Sequence, residues 1–231
     1  VAAPASQLSF VIPVLNEAPR IAGLLEDLQA RFPGAERIVV DGGSGDDTVA
    51  HALPGATSVL VAESGRALQM NLGARSAQGE YLLFLHADTT PLFDARSLRA
   101  ALELRPAWGY FRLRLDGRAA VFRLIERAIS WRSSASGIGT GDQLLFVRRD
   151  LFAAAGGFAA IPLMEDIELC VRLRRQQRPL LPRGLRVQTS SRRWEKRGVV
   201  RTVVEMWCLR LAYALGVSPA RLWRYYYGVP R

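Results

Sequence analysis

At 231 residues, with 49% hydrophobic and 23% charged side chains, the chain has the composition of an ordinary globular protein, and disorder is excluded. The formal charge is +10 at pH 7, and every one of the 31 basic residues is arginine save Lys196. That excess favours anionic partners (nucleotide phosphates, nucleic acid or an acidic membrane face) without choosing among them. The opening VAAPASQLSFVIPV has no basic stretch ahead of its apolar one, and no window offers the roughly 18 apolar residues of a spanning helix. The expectation is a cytoplasmic protein. Cys170 and Cys208 lack CxxC spacing, so structural thiols are expected rather than a disulfide or a zinc site.

Leu8–Val14 (LSFVIPV) reads as a buried strand with Asn16 and Glu17 at its exit. Ile21, Leu24, Leu25 and Leu28 recur at helical spacing within 18–32, and Pro33-Gly34 closes that helix. A second strand, Arg37–Val40, runs into Asp41-Gly-Gly-Ser-Gly-Asp-Asp47. A helix over 48–53, a strand over 58–62 and a helix over 65–77 precede a fourth strand, Tyr81–Leu85, whose unbroken apolar run suits burial on both faces. Such βαβαβαβ alternation predicts an α/β fold with a mostly parallel, Rossmann-like central sheet flanked by helices. Polar clusters then lie at the strands' carboxyl ends, where open α/β sheets take their ligands.

Past Pro91 the texture changes. A helix is expected over 95–104, a strand over Trp108–Leu115 from the alternation WGYFRLRL, and a helix over 119–131. Ser133–Thr140 (SSASGIGT) reads as a mobile Gly-rich loop, followed by a strand (LLFV) and a short helix capped by Asp150. A helix over 164–177 opens on Glu165 and Asp166, and 185–189 is a last strand. Residues 199–227 form a helical extension in which Val203, Val204, Trp207, Leu211 and Leu215 line one face. That face would pack on the core or a second subunit, or lie on a membrane surface. One domain is expected, with a nucleotide-binding half (1–91), an acceptor and catalytic half (92–198) and a C-terminal helical segment (199–231).

Several residues carry chemistry. His86 and Asp88, one residue apart at a strand end, suit a metal-and-phosphate corner, or else sit in an ordinary surface loop. Asp41 before two glycines could accept hydrogen bonds from a base or ribose, or only from its own turn. Glu165 and Asp166 are helix-start acids of which one could serve as a general base. Arg66, Arg192 and Arg193 offer guanidinium groups for a diphosphate. Neither GxGxxG nor GxxxxGK[ST] is present, which argues against a Rossmann dinucleotide site and a P-loop, and nothing suggests a Ser-His-Asp triad.

These signals stand in a recognisable order: Pro13-Val-Leu-Asn16-Glu17, Asp41-Gly-Gly-Ser44, Gly65-Arg66-Ala-Leu-Gln-Met-Asn71, His86-Ala-Asp88-Thr, Gly141-Asp142-Gln143, Pro162-Leu-Met-Glu165-Asp166 and Thr189-Ser-Ser-Arg192-Arg193-Trp194. The ordered set resembles the family 2 glycosyltransferases, inverting enzymes of GT-A fold, and in particular their small single-domain members. The resemblance implies a nucleotide-diphosphate-sugar donor, UDP-sugar favoured and GDP-sugar second, with an acceptor hydroxyl as partner. It puts Pro13, Glu17, Asp41 and Arg66 at the nucleotide, and Asp166 beside Glu165 in base catalysis. The residues themselves suggest Arg192 and Arg193 for the diphosphate, Asp142 and Gln143 for the sugar or the acceptor, and Trp194 for the acceptor. Asp88 matches the second Asp of the family's Asp-x-Asp metal motif. His86 replaces the first, so a divalent cofactor, manganese or magnesium, rests on Asp88 with His86 beside it. Nucleic acid is not an expected partner. Three other readings stay open: a sugar-phosphate nucleotidyltransferase, a GT-A-like protein without catalysis, and a basic nucleic-acid-binding module.

Overall fold

In the computed structural model, which describes residues 7–228, the first half follows the expected alternation. It runs β1 (Leu8–Val14), α1 (Ala18–Arg31), β2 (Glu36–Asp41), α2 (Thr48–Ala52), β3 (Ser58–Val61), α3 (Arg66–Ser76) and β4 (Tyr81–Phe84). β1 pairs in parallel with β2 and β4, and β2 with β3. There follow β5 (Thr89–Pro91), α4 (Ala95–Leu102), β6 (Trp108–Gly109), β7 (Arg112–Leu115) and α5 (Ala120–Ser136). A single 3-10 turn, Gly141–Gln143, leads into β8 (Leu145–Arg148), α6 (Arg149–Ala154), α7 (Glu165–Gln176) and β9 (Arg186–Thr189). The chain ends in α8 (Arg192–Arg197), α9 (Val199–Ala214) and α10 (Pro219–Tyr227).

The main sheet has the order β3-β2-β1-β4-β8-β6, with β8 antiparallel to both its neighbours. Because side chains alternate along a strand, β1 sends Phe10, Ile12 and Val14 to one face and Val11 to the other. The first face buries Ile21, Leu25 and Leu28 of α1 and Leu98 of α4. The second buries Met70 of α3 and Leu169, Cys170 and Leu173 of α7. Each fully buried aliphatic side chain contributes about 1.5–3 kcal/mol, so these two layers fix the strand ends that carry the polar clusters.

Four expectations are corrected. Trp108–Leu115 is not one strand: Trp108 to Phe111 are all buried, and the chain leaves the main sheet after Gly109 to join a second sheet, β5-β9-β7. Only Arg112–Leu115 alternates between exposed and buried. Ser133–Ser136 is the last turn of α5, ended by Gly137 at φ 66, and Ser133 is fully buried. Asp150 lies inside the first turn of its helix, accepting from Arg148 Nε and Leu151 N–H, rather than at the cap. The C-terminal extension is two helices, α9 and α10, docked on α7 through Met164, Ile167, Leu209 and Leu222. The opposite stripe of α9, with Val204, Trp207, Leu211 and Leu215, faces outward. Among the described residues no helix is long and apolar enough to cross a membrane.

Candidate functional site

The exits of β1 and β2 form the first corner. Asp41 is 3% exposed, and its Oδ2 accepts the N–H groups of Gly43 and Ser44, both at 2.9 Å, while Ser44 Oγ donates to Oδ1. The β1 exit is laced to this turn: Asn16 N–H donates to Ser44 Oγ, and Gly45 N–H to Asn16 Oδ1, each at 2.9 Å. Beneath both strands lies Gln69, whose Nε2 donates to the carbonyls of Val14 and Val40 at 2.8 Å. Sequence reading recorded Gln69 only as one letter of a motif, although it is the strut joining the two strand ends. Pro13 and Glu17 are half-buried here, Glu17 paired with Arg20 at 2.8 Å. Asp41 thus spends most of its lone pairs on its own turn, and a ligand would meet the remainder.

The exit of β4 and the start of α7 form the second corner, with Gly141 at its centre. Gly141 N–H donates to Asp166 Oδ2 at 2.7 Å. The His86 ring packs on Gly141 too, where a Cβ would stand 2.5 Å from Cε1, 2.6 Å from Nε2 and 3.7 Å from Asp166 Oδ2. His86 Nδ1 meets Asp142 Oδ1 at 3.2 Å. Glu165, 3% exposed, faces Arg66 Nη1 at 3.5 Å. Burial and the adjacent Asp166 carboxylate hold the Glu165 carboxyl above its ordinary range, with Arg66 and His86 pulling the other way. The helix opens from Met164 in the left-handed region at φ 70, a conformation costly for a side chain of this size and set immediately before the two acids.

Asp88 is exposed; among the described residues its carboxylate accepts a 3.3 Å bond from Thr89 Oγ1, and its carbonyl accepts Ser190 N–H at 3.2 Å. Asp88, Asp142, Arg192 and Trp194 come together around one cleft of about 240 Å³ between α5 and α9. Gln143 does not reach it: 1% exposed, it bonds Ser133, Thr140 and the Phe111 carbonyl, and acts as a buried brace. Arg193 lies on α8, but its side chain is outside the described residues. Arg132 and Arg210 also line the cleft, and sequence reading missed both, since nothing distinguishes them among so many arginines. A larger hollow, about 1,170 Å³, lies at the strands' amino ends beside Leu8, Glu80 and Arg148. Its ion pairs, Arg105–Glu80 and Arg148–Asp150, are closed on one another, and the chemistry lies at the other end of the sheet.

For a divalent cation the donor set is mixed. Among the described residues no three His, Cys, Asp or Glu side chains are grouped to hold one. His86 has Nδ1 committed to Asp142 and Nε2 against Gly141, which leaves Asp88 as the available carboxylate. One carboxylate with substrate phosphates is a sufficient set for magnesium-type sites. The residues therefore fit a cation shared with a bound diphosphate, and do not fit one caged by protein.

Residues 9–104 match the profile of Glycosyl transferase family 2. A dolichyl-phosphate beta-glucosyltransferase of Drosophila melanogaster is 34% identical over 150 residues, 56% of this chain and 45% of the fly protein. Among solved structures, S. aureus TarS 1-349 in complex with UDP matches at TM-score 0.62 and 20% identity, over 80% of this chain and 61% of that one. The mannosyltransferase PcManGT of Pyrobaculum calidifontis, solved with GDP-Man and Mn2+, matches at TM-score 0.63 and 22% identity, over 89% and 61%. At such identities the likeness to the two structures is one of fold. The chain spans less than half of the fly relative and about three fifths of each structural one.

Proposed function

We propose that the chain is a member of glycosyl transferase family 2, whose profile matches residues 9–104, and that it is an inverting glycosyltransferase of GT-A fold that moves a sugar from a nucleotide-diphosphate-sugar to an acceptor hydroxyl. The observation that carries this reading is the position of Asp166. Its carboxylate accepts the Gly141 N–H on the same flank of that glycine as the His86 ring, and His86 in turn meets Asp142, which lines the cleft with Asp88. We assign the donor to the β4 exit and the acceptor to the side of Asp142, with Asp166 between them.

In the proposed reaction the nucleotide lies along the β1 and β2 exits, against Pro13, Glu17 and Asp41, with Arg66 toward its phosphates. Asp166 takes the proton of the acceptor hydroxyl as that oxygen attacks the anomeric carbon. The bond from this carbon to the β-phosphate oxygen breaks, and the nucleoside diphosphate leaves with the pair. Arg66 and Arg192 stabilise the charge that develops on it. A divalent cation on Asp88, when bound, supplies further neutralisation of the leaving diphosphate. Single displacement inverts the anomeric configuration.

Structural neighbours solved with UDP, UDP-GlcNAc and GDP-Man support a nucleotide-sugar donor, and we favour UDP. The fly relative's name supports hexosyl transfer. A thermal-shift panel of UDP-, GDP- and dTDP-sugars with Mn2+, Mg2+ or chelator tests the reading, because a ligand of the native state raises apparent stability by mass action. A UDP-sugar should give the largest shift. No shift with any donor under any metal condition would overturn the proposal.

A further inference from the structure

The helix α10 has no part in the reaction proposed above, yet it is packed against the ground on which the two acids stand. Its buried Leu222 shares a cluster with Met164 and Ile167, the residues on either side of Glu165 and Asp166, and with Leu209 of α9. Ile138 and Tyr226 pack on the same cluster. One contact therefore grips both segments whose meeting forms the second corner. Ile138 leads to Gly141 and Met164 to Asp166, and there the Gly141 N–H donates to Asp166 Oδ2 at 2.7 Å. The cluster also buries Met164, whose left-handed backbone at φ 70 persists only where surrounding structure holds it.

This docking fixes a group of aromatic rings. Leu222 and Tyr226, four residues apart, share one face of α10, and that face is the packed one. Tyr226 is held from α8 by Arg197, whose Cζ lies 5.5 Å from the ring centroid. Tyr227 follows, wedged between Trp223 at 5.3 Å and Tyr226 at 5.0 Å, the second edge-on. Its ring is thereby oriented, while the residue stays 52% exposed. Among the described residues its hydroxyl has no hydrogen-bond partner. A side chain ordered in advance, with a donor open to solvent, binds a ligand without the cost of being immobilised by it.

Tyr227 shares its surroundings with Arg66. That guanidinium meets Glu165 Oε1 at 3.5 Å and keeps 42% of its side chain open. Burial works against its charge, yet Glu165, Tyr227, Asp142 and Asp166 together raise it above its ordinary range. Tyr227 acts on it more strongly than either aspartate does, so phenol and guanidinium border one hollow. Both groups are donors, and neither can satisfy the other. An anion with several acceptor oxygens, such as a diphosphate, satisfies the two together.

We infer that α10 is a wall of the donor site and that Tyr227 is a donor-binding residue, its hydroxyl donating to a phosphate oxygen of the nucleoside diphosphate beside Arg66. Leu222 and Tyr226 position the corner, and Tyr227 touches the ligand. The bond strengthens as the sugar departs, because negative charge then grows on the phosphate that accepts it. None of the motifs that carry the family resemblance includes a residue of α10. The assignment rests on the transferase reading.

The test is calorimetric titration of UDP, GDP and dTDP into the whole chain with manganese present. Tyr227→Phe removes one oxygen and keeps both ring contacts. It should weaken the tightest-bound of the three about tenfold, the loss expected for a hydroxyl bonded to a charged phosphate. The melting temperature of the nucleotide-free protein should not change. Tyr225→Phe removes the same atom two residues away, on nearly the opposite side of the helix, and should leave affinity as it was. An equal loss in Tyr225→Phe would make the effect a general one of the helix and overturn the assignment. A weaker affinity in Tyr227→Phe accompanied by a lower melting temperature would make Tyr227 a packing residue and overturn it too. Wild-type protein that binds none of the three nucleotides would sink the transferase reading and this inference with it. Nucleotide binding that Tyr227→Phe leaves intact would sink this inference alone.

Discussion

Asp166→Asn removes a base while changing one atom. Asp166 Oδ2 accepts from Gly141 N–H at 2.7 Å, and Oδ1 from Ile167 N–H at 2.7 Å. An amide keeps one acceptor and turns a donor toward the other N–H, so one hydrogen bond is lost. That costs about 1–2 kcal/mol, which for a chain of this length lowers the melting temperature by roughly 2–8 °C. The fold survives such a loss. The chemical step does not, because removing a positioned general base costs on the order of 10²–10⁴ in rate. The assay is nucleoside diphosphate release from the donor chosen by thermal shift, on protein first shown to be folded and to bind that donor with unchanged affinity. Turnover within threefold of the wild type would refute the assignment of Asp166 as base, whatever the change in stability.

Three further expectations follow from the same geometry. Gly141→Ala would drive a Cβ to 2.5 Å from His86 Cε1, so the ring or the turn must shift; about 1–3 kcal/mol of overpacking and at least a tenfold loss of turnover should appear together, and full activity would mean that the turn is free to move. Asp88→Ala should abolish the manganese-dependent part of the donor's thermal shift and leave the metal-free part intact; a persisting manganese effect places the cation elsewhere. Glu165 has its folded pKa raised, so protonation favours the folded state. That contribution is fully present below the ordinary glutamate pKa, about 4.3, and is lost as pH rises through the folded value. Melting curves of wild type and Glu165→Gln from pH 4 upward should therefore show the wild type losing more stability with rising pH; parallel curves would count against the raised pKa.

The first ninety residues were legible because β1, α1 and β4 each bury one unmixed apolar pattern. LSFVIPV and YLLFL can be read from hydrophobicity alone, and the parallel pairing follows from the helices between them. The second half hides its decisive facts in packing. WGYFRLRL alternates on paper, but Trp108 and Tyr110 are buried among α7 side chains, and Phe111 on the other face beside Phe93. A switch between sheets leaves no mark on periodicity. Ser133 and its small neighbours look like loop, yet the Tyr110 hydroxyl donates to the Ser133 carbonyl at 2.7 Å and Gln143 accepts from its hydroxyl at 3.0 Å, which holds them helical. Gln143 itself shows the converse: a polar side chain that completes the interior reads, in one dimension, like one waiting for a ligand. His86 was legible as a departure from Asp-x-Asp, but only geometry reveals that its ring leans on Gly141 and turns to Asp142 rather than to Asp88.

The small sheet β5-β9-β7 has a mechanical consequence. Thr89 follows Asp88 and pairs with Thr189, and the two hydroxyls are bonded at 2.9 Å. Ser190 N–H holds the Asp88 carbonyl, and two residues later α8 begins and leads directly into α9. The residue assigned to the donor's diphosphate is therefore yoked to the helix that forms one jaw of the cleft. Movement of that jaw is transmitted to Asp88 through a rigid clasp of backbone and hydroxyl bonds rather than through flexible chain. Where occupancy of the cleft shifts α9, the donor's grip must change with it, and by reciprocity a bound donor must alter the cleft's hold by the same factor. Such a linkage would let neither substrate settle independently of the other.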